Sequence, residues 1–161
     1  MGKIHGTTRR IVIMAIACAV LAAAIGGVSL ARAGGSTGPQ TLVFTEVDTG
    51  GKFINISHTQ NGAPGDEFIF SAKLVNGQNM RIGSLDAKCT LALHGRLLCD
   101  GVMRLRGGTV TLQGSIRADE PDGTVDHIAV TGGTGSFDQA HGQLISRSTS
   151  DSTSHDVLDL D

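Results

Sequence analysis

From residue 41 onward, apolar and polar residues alternate with period two in short runs, and turn residues interrupt them about every ten residues. In 66–75, Phe68, Phe70, Ala72 and Leu74 share one face while Glu67, Ser71 and Lys73 share the other. In 109–118, Val110, Leu112, Gly114 and Ile116 oppose Thr109, Thr111, Gln113, Ser115 and Arg117. A chain with this period cannot bury a helical stripe; it forms half-buried strands. Further strands are expected at 41–49, 53–58, 80–92, 97–106, 126–131, 143–147 and 154–160. A break is expected at Gly50-Gly51, turns at 61–65 and Pro121-Asp122-Gly123, and an exposed Ser/Thr-rich segment at 146–154. Eight or nine such strands form a sandwich or a closed antiparallel barrel, and periodicity alone does not choose between them.

The first 33 residues lie outside this pattern. Lys3, Arg9 and Arg10 precede an uncharged apolar stretch at 11–30, and Ala31-Arg32-Ala33 places small residues as a signal-peptide cleavage site does. The alternative is a retained membrane anchor, since the stretch is long enough to span a bilayer. The expected organisation is a secretory signal at 1–33, a flexible lead at 34–40 and one β domain at 41–161, secreted or otherwise extracytoplasmic. Beyond the signal, nine basic residues stand against fifteen acidic ones, a formal charge of −6. That balance disfavours nucleic acid and anionic membrane surfaces as partners. The chain has no Trp or Tyr and five Phe, too few aromatic faces for stacking bases or sugars.

Two cysteines remain after the signal, Cys89 and Cys99. If they face each other across a hairpin, the loop is Leu93-His94-Gly95, with glycine at the position that wants a left-handed backbone. Export and this geometry point to a disulfide; the alternative is two free thiols, one of them reactive.

Chemical motifs are sparse. His58, His94, His127, His141 and His155 lack metal-ligand spacing, so no metal site is expected. No Gly-x-Ser-x-Gly nucleophile elbow occurs. Gly132-Gly133-Thr134-Gly135 lacks the Lys-Ser/Thr of a phosphate loop and reads as a tight turn between strands. Glu46 shares a face with Leu42 and Phe44. If that face is inward, desolvation raises its pKa and suits it to acid–base work; the alternatives are an outward face, which leaves a solvated carboxylate, or an inward Glu46 paired with an Arg.

The run from Ile128 through Gly132-Gly133-Thr134-Gly135-Ser136-Phe137 to Ala140-His141-Gly142 resembles the signature of the allene oxide cyclase and dirigent protein superfamily. Gly65-Asp66, Lys73-Leu74, Arg81-Ile82-Gly83, Cys89 and Thr111-Leu112-Gln113-Gly114 extend the likeness in order and spacing. The resemblance implies an all-β fold, an eight-stranded antiparallel barrel around an apolar cavity, with no cofactor. Plant allene oxide cyclases steer ring closure of a fatty-acid epoxide, and dirigent proteins steer coupling or cyclisation of phenolic intermediates; both hold a reactive molecule in one conformer. Glu46 matches the cyclase glutamate on the first strand, Asp48 falls where the cyclase has a water-holding asparagine, and Cys89 falls on a cysteine near the substrate. The expected catalytic residues are therefore Glu46 and Asp48. The expected substrate-contacting residues are Phe44, Phe68 and Phe70, around a small apolar ligand, and a homo-oligomer is left open. Two function classes follow: a cofactor-independent cyclase or isomerase, or a dirigent-like guide, on one side, and a non-catalytic lipocalin-like carrier or extracellular interaction module on the other.

Overall fold

A computed structural model describes residues 39–117 and 121–161. The leader read at 1–33 lies outside the described residues. Eight strands run in chain order: β1 (Gln40–Ile54), β2 (Glu67–Val75), β3 (Arg81–Leu91), β4 (Arg96–Leu105), β5 (Gly108–Arg117), β6 (Val125–Gly133), β7 (Gly142–Ser150) and β8 (Thr153–Leu160). Each pairs antiparallel with the next, and β8 closes on β1 through Leu42↔Leu158 and Glu46↔Ser154. The result is a closed barrel, which satisfies every strand edge.

Period two becomes an inside and an outside. Leu42, Phe44 and Glu46 on β1 share the interior with Ala72 and Leu74 on β2, Leu85 on β3 and Met103 on β4. Val110 and Leu112 on β5, Val130 on β6, Leu144 on β7 and Leu158 on β8 complete the ring. Phe44, Leu74, Met103, Val110, Leu144 and Leu158 are fully buried and form a solid plug at one end. Burying each such side chain contributes roughly 1.5–3 kcal/mol relative to leaving it in water.

Strand ends differ from the sequence reading by one to three residues, apart from two corrections. Gly50-Gly51 does not break the chain into two strands. β1 continues through it, and a bulge between Asp48 and Gly50 absorbs the extra residue. Gly50 sits at φ 142°, a value an L side chain rarely adopts. Likewise Gly132 and Gly133 are not yet a turn: they pair with Thr111 and Val110 as the last residues of β6. The chain turns at Gly135–Phe137, a single 3₁₀ turn that lays Phe137 and Ala140 over the plugged end.

The β3–β4 hairpin has the expected form. Ala92 N–H donates to Arg96 O at 2.7 Å around Leu93-His94-Gly95. His94 (φ 60°) and Gly95 (φ 68°) are both left-handed. Cys89 pairs with Cys99 across the ladder and the two form a disulfide, with Cα atoms 4.0 Å apart.

Candidate functional site

Above the plug the barrel opens into a cavity of about 320 Å³. Its walls differ in character. Phe68, Phe70, Leu85, Leu112, Ile128 and the Cys89–Cys99 disulfide form an apolar side. Glu46 and Asp48 from β1, Ser146, Ser148 and Ser150 from β7, and Ser154 from β8 form a polar side. Phe68 and Phe70 lie two apart on β2 and so face the same way; their rings stack with centroids 5.7 Å apart.

The serines correct the sequence reading of 146–154 as an exposed segment. Ser146, Ser148 and Ser150 stand in β7, the turn occupies only Asp151 and Ser152, and β8 resumes at Thr153. Alternation then turns Ser146, Ser148 and Ser154 inward, where they line the cavity half-buried.

Glu46 faces the interior, and so carries the inward alternative. On the same face, diagonally across the β1–β8 ladder, lies Asp156, fully buried opposite Phe44. Ser146 Oγ donates to Asp156 Oδ1 at 2.8 Å. Asp156 Oδ2 is buried without a hydrogen-bond partner. Burial first, and then the negative charge of Asp156, push the Glu46 carboxyl from 4.5 up to about 8. Asp156 is also raised: its desolvation outweighs the hydrogen bond from Ser146 and the smaller opposing influences of Ser154, Glu46 and His155. Two carboxyls in one apolar interior cannot both ionise cheaply, so one of them keeps a proton near neutral pH.

The other expected site residues separate. Asp48 lies at the exposed rim, where its Oδ1 accepts from Gly50 N–H at 2.7 Å and closes the β1 bulge. The buried partner of Glu46 is therefore Asp156. Phe68 and Phe70 line the cavity, whereas Phe44 does not; it is 1% exposed and belongs to the plug below. Cys89 lines the cavity as half of a disulfide, so it offers no thiol. Among the described residues, no group of three or more His, Cys, Asp and Glu converges as a metal site.

Asp156, Ser146 and Ser154 belong to no motif in the sequence. The signal was present in β8, where Asp156 keeps the parity of Leu158 and Leu160 and so had to face inward with them.

A protonated carboxyl with a pKa near 8 can donate a hydrogen bond to a carbonyl or ether oxygen, and its conjugate base can take a proton back. The cavity thus offers one proton-transfer group on a polar wall and an apolar wall to hold a molecule against it.

No protein-family profile and no curated protein matches this sequence. Solved structures do. A pyocyanin demethylase superposes with a TM-score of 0.63 at 16% identity, over 74% of this chain and 99% of its own. The pterocarpan synthase dirigent protein PsPTS1 superposes with a TM-score of 0.61 at 17% identity, over 76% and 94%. The chain has the dirigent-type barrel fold. An exo-specific intermolecular Diels-Alderase shares it, with a TM-score of 0.60 at 15% identity over 77% and 98%. The eight-stranded barrel expected from the superfamily resemblance is thus the fold of this chain, and likeness at these identities speaks for the fold alone.

Proposed function

We propose that this barrel binds a small, mostly apolar molecule in the cavity and steers its cyclisation or coupling, with Glu46 as the proton-transfer group. The observation that carries the reading is the carboxyl of Glu46 on the polar wall of a cavity whose other wall is apolar, with the carboxyl of Asp156 buried beneath it. Orientation supplies much of the rate in such chemistry, because a molecule pressed against Phe68 and Phe70 samples few conformers. The protonated Glu46 then stabilises negative charge developing on an oxygen, typically worth a factor of about 10²–10⁴. Asp156 tunes Glu46 and does not touch the ligand. The structural neighbours support this reading in kind: a dirigent protein and a Diels-Alderase have barrels of the same fold. The volume also supports it, at the lower end of the range of roughly 300–1,000 Å³ for small-molecule sites.

The reading includes export. The Cys89–Cys99 disulfide fits an oxidising compartment. Among the described residues no helix is long and apolar enough to cross a membrane.

The test is native mass spectrometry of the protein purified from its producing cells, followed by conversion assays on any released molecule with the natural protein and Glu46→Gln. The expected result is a bound apolar species that the natural protein converts, and a Glu46→Gln variant that binds it but turns it over about 100-fold more slowly or worse. Binding without conversion would make the barrel a carrier. A bare chain, combined with no shift of the Phe68 and Phe70 ring resonances on adding 1-naphthol or 4-phenylbutanol, would overturn the cavity as a ligand site.

A further inference from the structure

We propose that the cavity selects its ligand by charge and takes a molecule that joins an apolar body to a basic nitrogen, an arylalkylamine or a cationic N-heterocycle. The inference rests on the reading of the cavity as a ligand site. Every charged side chain that faces the cavity among the described residues is acidic: Glu46, Asp48, Asp126 and Asp151, whereas Asp100 at its edge turns outward and accepts from Gln113 Nε2 at 2.9 Å. Among the described residues, no Lys, Arg or His lines it. Beneath this wall Asp156 is fully buried on the inward face of β8, with Oδ2 lacking any hydrogen-bond partner.

Three basic residues of the cavity strands are engaged outside. Lys88 pairs with Glu67 at 3.0 Å, Arg104 pairs with Asp86, and Arg96 donates to Ser115. A carboxylate ligand would therefore bring a further anion to an acidic wall that no Lys, Arg or His among the described residues lines. A protonated amine meets the opposite situation: Glu46 can ionise against it, and the buried acceptor of Asp156 gains a nearby positive charge. The stacked rings of Phe68 and Phe70 add a π surface on the apolar side, which attracts a cation and repels an anion.

A matched set of probes separates charge from shape: 4-phenylbutylamine, 4-phenylbutanol and 4-phenylbutyrate, titrated at pH 7 into the purified protein by calorimetry, with the Phe68 and Phe70 ring resonances marking the site. The amine is expected to bind about 10-fold more tightly than the alcohol, and the butyrate about 10-fold more weakly, each step being roughly one charge interaction at a partly buried wall. The amine's affinity should fall with added salt while the alcohol's stays level. Asp48→Asn combined with Asp151→Asn changes only the rim, since the new amide at position 48 can still accept from Gly50 N–H. That variant should lower the ratio of amine to alcohol affinity several-fold. Equal binding of amine and alcohol, or preference for the butyrate, overturns the charge selection and leaves the cavity reading standing. Failure of all three probes to shift the Phe rings overturns both.

Discussion

Ser146 Oγ donates to Asp156 Oδ1 at 2.8 Å and so holds that buried carboxyl on the inner face of the barrel, with Oδ2 left unpartnered. The serine stands on β7 and the aspartate on β8, opposite one another in the ladder. Glu46 on β1 completes the group from the other side of β8. Three neighbouring strands thus converge on one proton. Such an arrangement stores an electrostatic cost in the folded state, as proton-transfer sites commonly do.

The first consequence is a stability that declines with pH where most proteins are level. Glu46 has a folded pKa raised from 4.5 to about 8, and Asp156 is raised as well. A raised carboxyl favours the folded state most while it is protonated in both states. Once the unfolded chain ionises, above about pH 4.5, that advantage is lost progressively until the folded group ionises near pH 8. Asp66 and Asp86 act in the opposite sense. Burial pushes Asp66 up, but hydrogen bonds from Ser57 and Ala63 outweigh it and hold the carboxyl down; Ser71 and Arg104 hold Asp86 down. Their contributions vanish in stronger acid. Thermal unfolding should therefore show a maximum Tm in mild acid and a fall from there toward pH 8. Glu46→Gln should flatten most of that fall. A Tm that climbs steadily from mild acid to neutral pH in the natural protein would contradict the buried pair.

Asp156→Asn should lower the pKa of Glu46 without restoring the ordinary value. The Asp156 charge is the second cause of the rise and burial is the first, so removing the charge leaves the larger cause in place. An amide also still accepts from Ser146, which keeps the fold intact. A carbon-detected NMR titration of the Glu46 carboxyl reads the change directly: a midpoint below that of the natural protein and above 4.5. An unmoved midpoint would show that the two carboxyls do not interact.

Loss of the disulfide should cost stability rather than topology. The link closes a short loop around a hairpin whose register Leu85↔Met103 and Leu91↔Leu97 already specify. The chain-entropy model assigns a ring of this size roughly 2–3 kcal/mol. Cys89→Ala with Cys99→Ala should lower the unfolding free energy from urea titration by that amount and leave the far-ultraviolet dichroism unchanged. A thiol assay on the denatured, unreduced natural protein should find neither Cys89 nor Cys99 free.

Local pattern is enough to read some of these features and not others. Cys89 opposite Cys99 follows from a hairpin, where the turn residues and the alternation constrain each other over a few residues. Parity places Glu46 on a face. What lies beside it depends on closure, because β8 meets β1 only after the whole chain has gone round the barrel; parity turns Asp156 inward with Leu158 and Leu160, but its place next to Glu46 escapes a local reading for that reason. Depth along the axis is a second quantity that alternation does not carry. Phe44 and Glu46 share a face, yet the rise of β1 between them leaves one in the plug and the other in the cavity. The serines of β7 look like an exposed segment because a Ser/Thr run alternates without hydropathy contrast. Gly50-Gly51 looks like a break because a bulge and a break use the same residue type.

The last prediction concerns the plugged end, where glycine is required by space. A Cβ on Gly133 would fall on the backbone carbonyls of Phe137 and Thr109, and neither can move without disturbing the β5–β6 ladder or the 3₁₀ turn. Gly133→Ala should therefore destabilise by about 1–3 kcal/mol, as overpacking does. It should do so by lifting Phe137 off the core, which hydrogen exchange at Ala140 N–H would report through its bond to Phe137 O. Gly77→Ala is the control: nothing lies within 4 Å of its Cβ position and its backbone is not in the left-handed range. That substitution should be neutral or stabilise by up to about 1 kcal/mol, through the unfolded chain alone. Equal urea midpoints for the two variants would mean that the end of the barrel at Gly133 is loose rather than plugged.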